Sequence, residues 1–166
     1  GVVIATSGPG ATNLVTGIAA AYMDSSPVVA ITGNVKTSLL GSDSFQEVDI
    51  AGVTMPVTKY SFIASGERGV AQDVREAFSI AQSGRKGPVL VDIPADIAAQ
   101  SEKYERAPKS EPARAKEPEE AQLARAAQMI AKAKRPLIYV GGGAISSGAS
   151  EALVAFEKKL QIPVAC

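Results

Sequence analysis

The chain has 166 residues, 46% apolar and 20% charged, with 17 basic residues balancing 17 acidic ones; this composition suits a globular α/β protein of one ordinary domain or pieces of two. Balanced charge offers no field to nucleic acid or an anionic membrane surface, and no apolar run reaches membrane-spanning length, so neither partner is expected. Histidine is absent, which removes imidazole bases, Ser-His triads and His-containing metal sites from this stretch, and the lone Cys166 cannot form an internal disulfide and agrees with a reducing cytoplasm.

In chain order, Val2, Val3, Ile4 and Ala5 form an uninterrupted apolar run, expected as a central parallel strand covered on both faces. A glycine-rich turn follows in Thr6-Ser7-Gly8-Pro9-Gly10-Ala11-Thr12-Asn13. Gly8 and Gly10 can take positive φ without a Cβ penalty and Pro9 fixes φ between them, so the backbone can turn tightly and expose its amides. Leu14, Ile18 and Tyr22, with Val15 beside them, then repeat at helical spacing, and the turn opens onto a helix N-terminus. Val28 to Thr32 reads as a second buried strand. The polar segment from Gly33 to Glu47 is a loop at that strand's C-terminal end, where open α/β sheets bind ligands. A short helical turn is expected around Asp49 to Val53 and a strand over Lys59 to Ile63.

Val70, Val74, Ala77, Phe78 and Ala81 recur at three- and four-residue steps, predicting an amphipathic helix from about Glu67 to Ser83, stopped by Gly84. Val89 to Ile93 is a third strongly apolar strand. The alternation of strand and helix predicts a parallel, doubly wound sheet. From Ser101 to Glu120 the composition shifts to Glu, Lys, Arg, Ala and Pro, as in an extended linker. Pro118, Glu119 and Glu120 start a new helix with Leu123, Ala127, Ile130 and Ala133 as its stripe. Leu137 to Val140 is a strand, Gly141-Gly142-Gly143 a turn, Ala149, Leu153, Phe156 and Leu160 a further helical stripe, and Ile162 to Ala165 a last strand. These begin a second α/β domain, and a start on a strand without Met reads as an internal piece of a longer protein.

By pattern alone, Gly8-Pro9-Gly10-Ala11-Thr12-Asn13 lacks the third glycine of a dinucleotide fingerprint and the Lys-Ser/Thr of a phosphate loop, so an ordinary βα turn and a ligand loop remain equally open. The literal string Thr6 to Asn13, together with Gly41-Ser42-Asp43-Ser44-Phe45-Gln46-Glu47 downstream, resembles thiamine-diphosphate enzymes, and most of all the catalytic subunits of the acetolactate (acetohydroxyacid) synthase family. The resemblance runs along nearly the whole chain. It implies that residues 1–97 are the C-terminal part of a pyrimidine-binding domain, 98–117 a linker and 118–166 the start of a central, FAD-binding-like domain. It also implies that the glutamate activating the cofactor and the Gly-Asp-Gly motif holding metal and diphosphate lie outside this sequence, so no metal ligand is assigned here.

Carried over residue by residue, the resemblance puts Ser7, Gly8, Pro9, Gly10 and Asn13 beside the cofactor's pyrimidine end, where an amide can read ring nitrogens without introducing charge. It puts Phe45 and Gln46 near the reacting end, the ring excluding water and the amide bonding a substrate oxygen. Arg85 matches an arginine that contacts FAD, and Gly141, Gly142 and Gly143 resemble the first FAD-contacting turn. Ser25 and Lys59 fall on positions at or near the ligand pocket. Without the resemblance, Asn13 is a helix cap, Phe45 a core residue, Gln46 a surface one, Ser25 a turn residue, Lys59 a solvated cation and the triple glycine a plain turn. Two departures stand out: Ala95 replaces a common Lys, and Lys36 stands where Pro or a small residue is common.

The function implied is condensation of pyruvate with a second 2-oxo acid, with loss of CO2, in branched-chain amino-acid biosynthesis. Thiamine diphosphate, Mg²⁺ and FAD are the implied cofactors. A cytoplasmic homodimer or tetramer is implied, with a possible regulatory subunit, and residues 1 to 166 alone are expected to be inactive. Alternatives are glyoxylate carboligase or another thiamine-diphosphate carboligase or oxidase and, from a different class, a non-catalytic FAD- or nucleotide-binding module.

Overall fold

A computed structural model of the chain describes residues 1–101, 106 and 117–166, so most of the expected linker lies outside the described residues. The chain divides into two compact units, Gly1–Ala115 and Lys116–Cys166.

The first unit is built in the order β1 (Val2–Ala5), α1 (Pro9–Thr12), α2 (Val15–Met23), β2 (Val29–Asn34), a 3-10 turn (Thr37–Leu39), α3 (Ile50–Thr54), a second 3-10 turn (Met55–Val57), β3 (Tyr60–Ile63), α4 (Val70–Gln82), β4 (Val89–Pro94) and α5 (Ala95–Ala98). All four strands are parallel, in the order β1-β2-β4-β3. The expected parallel, doubly wound sheet is therefore present.

The period-2 alternation of the strands divides the core between two faces. Val29, Val89 and Val91 pack with Ala77 and Ala81 of α4 and with Ile97 on one side. Ala30 and Leu90 pack with Ala11, Ile18 and Ile50 on the other. β4 is the strand buried on both faces, as its run Val-Leu-Val requires. Among the described residues β1 pairs with β2 alone, half-burying Val3 against the α2 side while Val2 and Ile4 are exposed on the opposite face.

Helix ends follow local chemistry. α4 begins at Val70 and not near Glu67, because Gly69 sits at φ 81°, outside helical space. α2 ends in a paired-bond cap in which Ser26 N–H reaches Ala21 O at 2.8 Å and Ser25 N–H reaches Tyr22 O at 3.2 Å. Ser25 takes the left-handed position, φ 55°, that glycine usually fills. α3 is capped by Asp49, whose carboxylate accepts from Gly52 N–H at 2.9 Å.

The second unit contains α6 (Glu120–Lys132), β5 (Ile138–Tyr139), α7 (Gly142–Ser146), α8 (Ser150–Leu160) and β6 (Val164–Ala165). β5 and β6 pair in parallel, Ile138 with Val164 and Tyr139 with Ala165. Leu123 and Ile130 of the α6 stripe are partly exposed, and Ile162 is the buried apolar residue of this unit. The expected glycine turn is the start of a helix: Gly141 is the N-cap of α7, and Gly142 and Gly143 form its first turn.

Candidate functional site

In a parallel sheet the loops leaving the strand C-termini share one edge, and two of them meet here. The loop after β1 carries Ser7, Gly8, Pro9 and Gly10, and the loop after β2 carries Phe45 and Gln46. Gly8 is buried at φ 59° and ψ −120°, a region open to glycine. A Cβ built on it would lie 2.9 Å from the Gln46 carbonyl oxygen and 3.0 Å from Gln46 Cα. Gly10 takes no positive φ, contrary to its expected use in the turn; it lies inside α1, where a Cβ would meet Thr6 Cγ2 at 2.6 Å. Gly33 approaches the same loop, its Cβ position 3.8 Å from Ser7 N. Glycine is thus required at Gly8 for the close approach of two backbones and at Gly10 for the room taken by the Thr6 side chain, while Gly33 makes only ordinary contact.

Phe45 is 87% exposed and Gln46 is exposed beside it with φ 59°. Phe45 is therefore no core residue in this unit. Glu47 fastens the corner that presents both. Its carboxylate accepts from Ser44 N–H at 2.9 Å, from Ser44 Oγ at 3.1 Å and from Gly41 N–H. The Ser44 and Gly41 amides hold the Glu47 carboxyl below its ordinary range.

Beneath these loops lies a buried polar group that the sequence reading passed over. Asp92 is fully buried in β4 and accepts from Thr32 Oγ1 at 2.7 Å and from Asn34 Nδ2 at 2.5 Å. Asn34 Oδ1 in turn accepts from Val35 N–H at 2.8 Å, tying the end of β2. Burial pushes the Asp92 carboxyl up, against the two hydrogen bonds that pull it down. Farther along, Asp96 accepts from Thr37 N–H at 2.9 Å and from its hydroxyl, and these bonds hold its carboxyl low. The available signal was a charged residue inside an otherwise apolar strand, Val-Leu-Val-Asp-Ile; in the register it lies directly opposite Thr32, with Asn34 two residues further along β2.

The structure does not gather every expected site residue at this edge. Ser25, Lys59 and Arg85 each precede a strand and so lie at the opposite, N-terminal edge. Arg85 Nε donates to Ser25 Oγ at 2.8 Å, leaving the rest of its fork without a partner among the described residues. Lys59 Nζ donates to Ser83 O at 2.6 Å, Ser83 Oγ at 3.3 Å and Ile80 O, closing the C-terminus of α4. Burial pushes its pKa down. Its stem passes Gly87, where a Cβ would lie 3.0 Å from Lys59 Cγ. Gly141, Gly142 and Gly143 belong to the other unit, and among the described residues no atom beyond the local backbone stands within 4 Å of a Cβ built on any of them.

The side chains of Ser7, Asn13 and Gln46 at the C-terminal edge are uncharged. Asn13, the C-cap of α1, exposes an amide, and neither it nor the side chains of Ser7 and Gln46 has a hydrogen-bond partner among the described residues. Neutral donors and acceptors of this kind, beside an exposed ring, fit the nitrogens of a heteroaromatic ring such as the pyrimidine of thiamine diphosphate. No group of three or more His, Cys, Asp or Glu able to hold a metal occurs among the described residues.

Residues 1–53 match the N-terminal TPP-binding domain of thiamine pyrophosphate enzymes, and residues 123–166 match their central domain. The chain is 49% identical over 169 residues to "Acetolactate synthase" of Arthrospira platensis and 50% identical over 169 residues to "Acetolactate synthase large subunit" of Corynebacterium glutamicum. It is 46% identical over 171 residues to "Acetolactate synthase isozyme 3 large subunit" of Escherichia coli K12. These alignments cover 99–100% of the chain but 27–30% of each relative, so the chain spans less than a third of the relatives it matches. Over that span it belongs with the thiamine pyrophosphate enzymes, as a homologue of acetolactate synthase large subunits.

Proposed function

We propose that the full-length protein is an acetolactate synthase that condenses pyruvate with a second 2-oxo acid, pyruvate or 2-oxobutanoate, with loss of CO2, in the cytoplasm. The observation that carries the reading is the meeting of the Gly8 loop with the Phe45–Gln46 corner at the C-terminal edge of the sheet. Thiamine diphosphate, when bound, supplies a nucleophilic carbon and an electron sink for decarboxylating a 2-oxo acid. The chain's own residues have narrower tasks. Ser7 and Asn13 offer uncharged hydrogen-bonding groups to the pyrimidine ring, alongside the tightly turned backbone from Gly8 to Gly10. The Gln46 amide binds a substrate oxygen, and the Phe45 ring shields the reacting end from water.

FAD is the second cofactor of this reading, with Arg85 of the first unit and the helix-opening glycines Gly141 to Gly143 of the second each a candidate contact. Two features support it: the unpaired part of the Arg85 fork suits a phosphate or flavin carbonyl, and the open space over the three glycines lets a ligand approach the backbone. Mg²⁺ would be held by residues beyond this chain. The "large subunit" names of two relatives support assembly with a second, smaller subunit, for which a regulatory role is proposed; a homodimeric or tetrameric core belongs to the same proposal.

The test is to assay the full-length protein for acetolactate formation from pyruvate. Turnover that requires thiamine diphosphate, and that falls sharply but measurably in Gln46→Ala while FAD stays bound, supports the synthase. FAD binding without thiamine-dependent turnover would instead mark a non-catalytic module.

A further inference from the structure

The corner that presents Phe45 and Gln46 is conformationally costly. Gly41, Asp43 and Gln46 all have positive φ, at 80°, 54° and 59°, and two of the three are not glycine. The Phe45 ring does not anchor the corner, being 87% exposed. Glu47 ties its two ends together. Glu47 N–H donates to Ser44 O at 3.0 Å, while the Glu47 carboxylate accepts from Ser44 N–H at 2.9 Å and Ser44 Oγ at 3.1 Å. Phe45 and Gln46 are thus bracketed from both sides by the same pair. The second arm of the carboxylate reaches back to Gly41 N–H, closing the loop across Asp43.

We infer that Glu47 is a positioning residue for the site: its two-armed carboxylate fixes the Phe45–Gln46 corner against Gly8, and it acts on the reaction through Gln46. This rests on the reading of Gln46 under Proposed function. Hydrogen bonds from backbone amides to a charged carboxylate are stronger than neutral ones, and both oxygens are needed to span Gly41 and Ser44. Glutamine at this position accepts through one oxygen only, and its NH₂ faces an amide donor.

The experiment uses the full-length protein with Glu47→Gln, Gln46→Ala and the double variant. Without cofactors, amide exchange at Gly41 and Ser44 in Glu47→Gln is expected to rise about tenfold while the amides of Leu90 and Val91 keep their wild-type protection. In acetolactate formation, kcat of Glu47→Gln is expected to fall about three- to tenfold, and adding it to Gln46→Ala should cause no further loss, because coupled residues do not combine multiplicatively. Unchanged exchange at Gly41 and Ser44 would overturn the inference. So would loss of protection throughout the sheet, or a double variant whose kcat loss is the product of the two single losses. If the wild-type protein forms no acetolactate, the synthase reading fails, and the positioning of the corner is decided by exchange alone.

Discussion

Gly8 and Gln46, far apart in sequence, meet backbone to backbone: a methyl group on Gly8 would stand 2.9 Å from the Gln46 carbonyl oxygen. Gly8→Ala carries two penalties. Its φ of 59° and ψ of −120° are hostile to an L side chain, at a cost of about 1–3 kcal/mol, and the new methyl pushes the Gln46 corner away. In the full-length protein, the unfolding midpoint should fall and thiamine-dependent turnover should fall with it. A Gly8→Ala variant of wild-type activity would mean that this contact is immaterial to the site.

Lys59 gives the opposite expectation. Its ammonium binds the last carbonyls of α4 at the edge away from Gln46, where a cation also meets the negative end of the helix dipole. Lys59→Met keeps the stem beside Gly87 and removes those bonds. It should destabilise the protein by roughly 1 kcal/mol, typical of a hydrogen bond between protein groups, while leaving KM for pyruvate unchanged. A large rise in KM with unaltered stability would return Lys59 to the substrate pocket.

Most of the fold was legible because burial in a doubly wound sheet leaves a strong mark: Val-Val-Ala-Ile and Val-Leu-Val admit no helical face, and turn residues bracket each run. Strand order was not legible, since pairing is a long-range property: β4 follows both β2 and β3 in the chain yet lies between them in the sheet. The Gly8 turn was visible from composition, but Gly10 was misread: its small size answers crowding by Thr6 and not a positive φ. The meeting of Gly8 with Gln46 followed from no local pattern, and literal resemblance supplied both ends without the contact between them. Glu47 and Asp92 were overlooked because a surface acid and a strand acid look ordinary until their partners, Gly41, Ser44, Thr32 and Asn34, are brought beside them.

Asp92→Asn tests the buried polar group. The replacement amide can still accept from Thr32 Oγ1, but its NH₂ would oppose the Asn34 NH₂. Turning the Asn34 amide to relieve that clash would take its oxygen away from Val35 N–H, 2.8 Å off at present. One buried donor is left unpaired either way, at about 1–3 kcal/mol, partly offset by removal of a buried charge. The unfolding midpoint at neutral pH is expected to fall, with amide exchange at Val35 accelerated. A stabilised variant with protected Val35 would show that charge burial outweighs the bonds.

Acid should act on the two carboxylate ties in a stated direction. Glu47 and Asp96 have folded-state pKa values below their ordinary 4.5 and 3.8, so the unfolded chain takes up those protons first. Their contribution is fully present above the ordinary values and is lost as pH falls through the lowered ones. Asp92 runs the other way: its folded pKa is raised above 3.8, so its contribution is fully present below that ordinary value and is lost as pH rises through the raised one. On titration down from neutrality, protonation of Asp92 therefore comes first and favours the sheet. Only below about pH 4, given ordinary carboxylate values, should the loop after β2 loosen. Protection factors, which remove the intrinsic pH dependence of exchange, should fall at Thr37, Gly41 and Ser44 while those of Leu90 and Val91 persist. If the loop and sheet amides lose protection together, at a single pH, the ties contribute nothing separable from global stability.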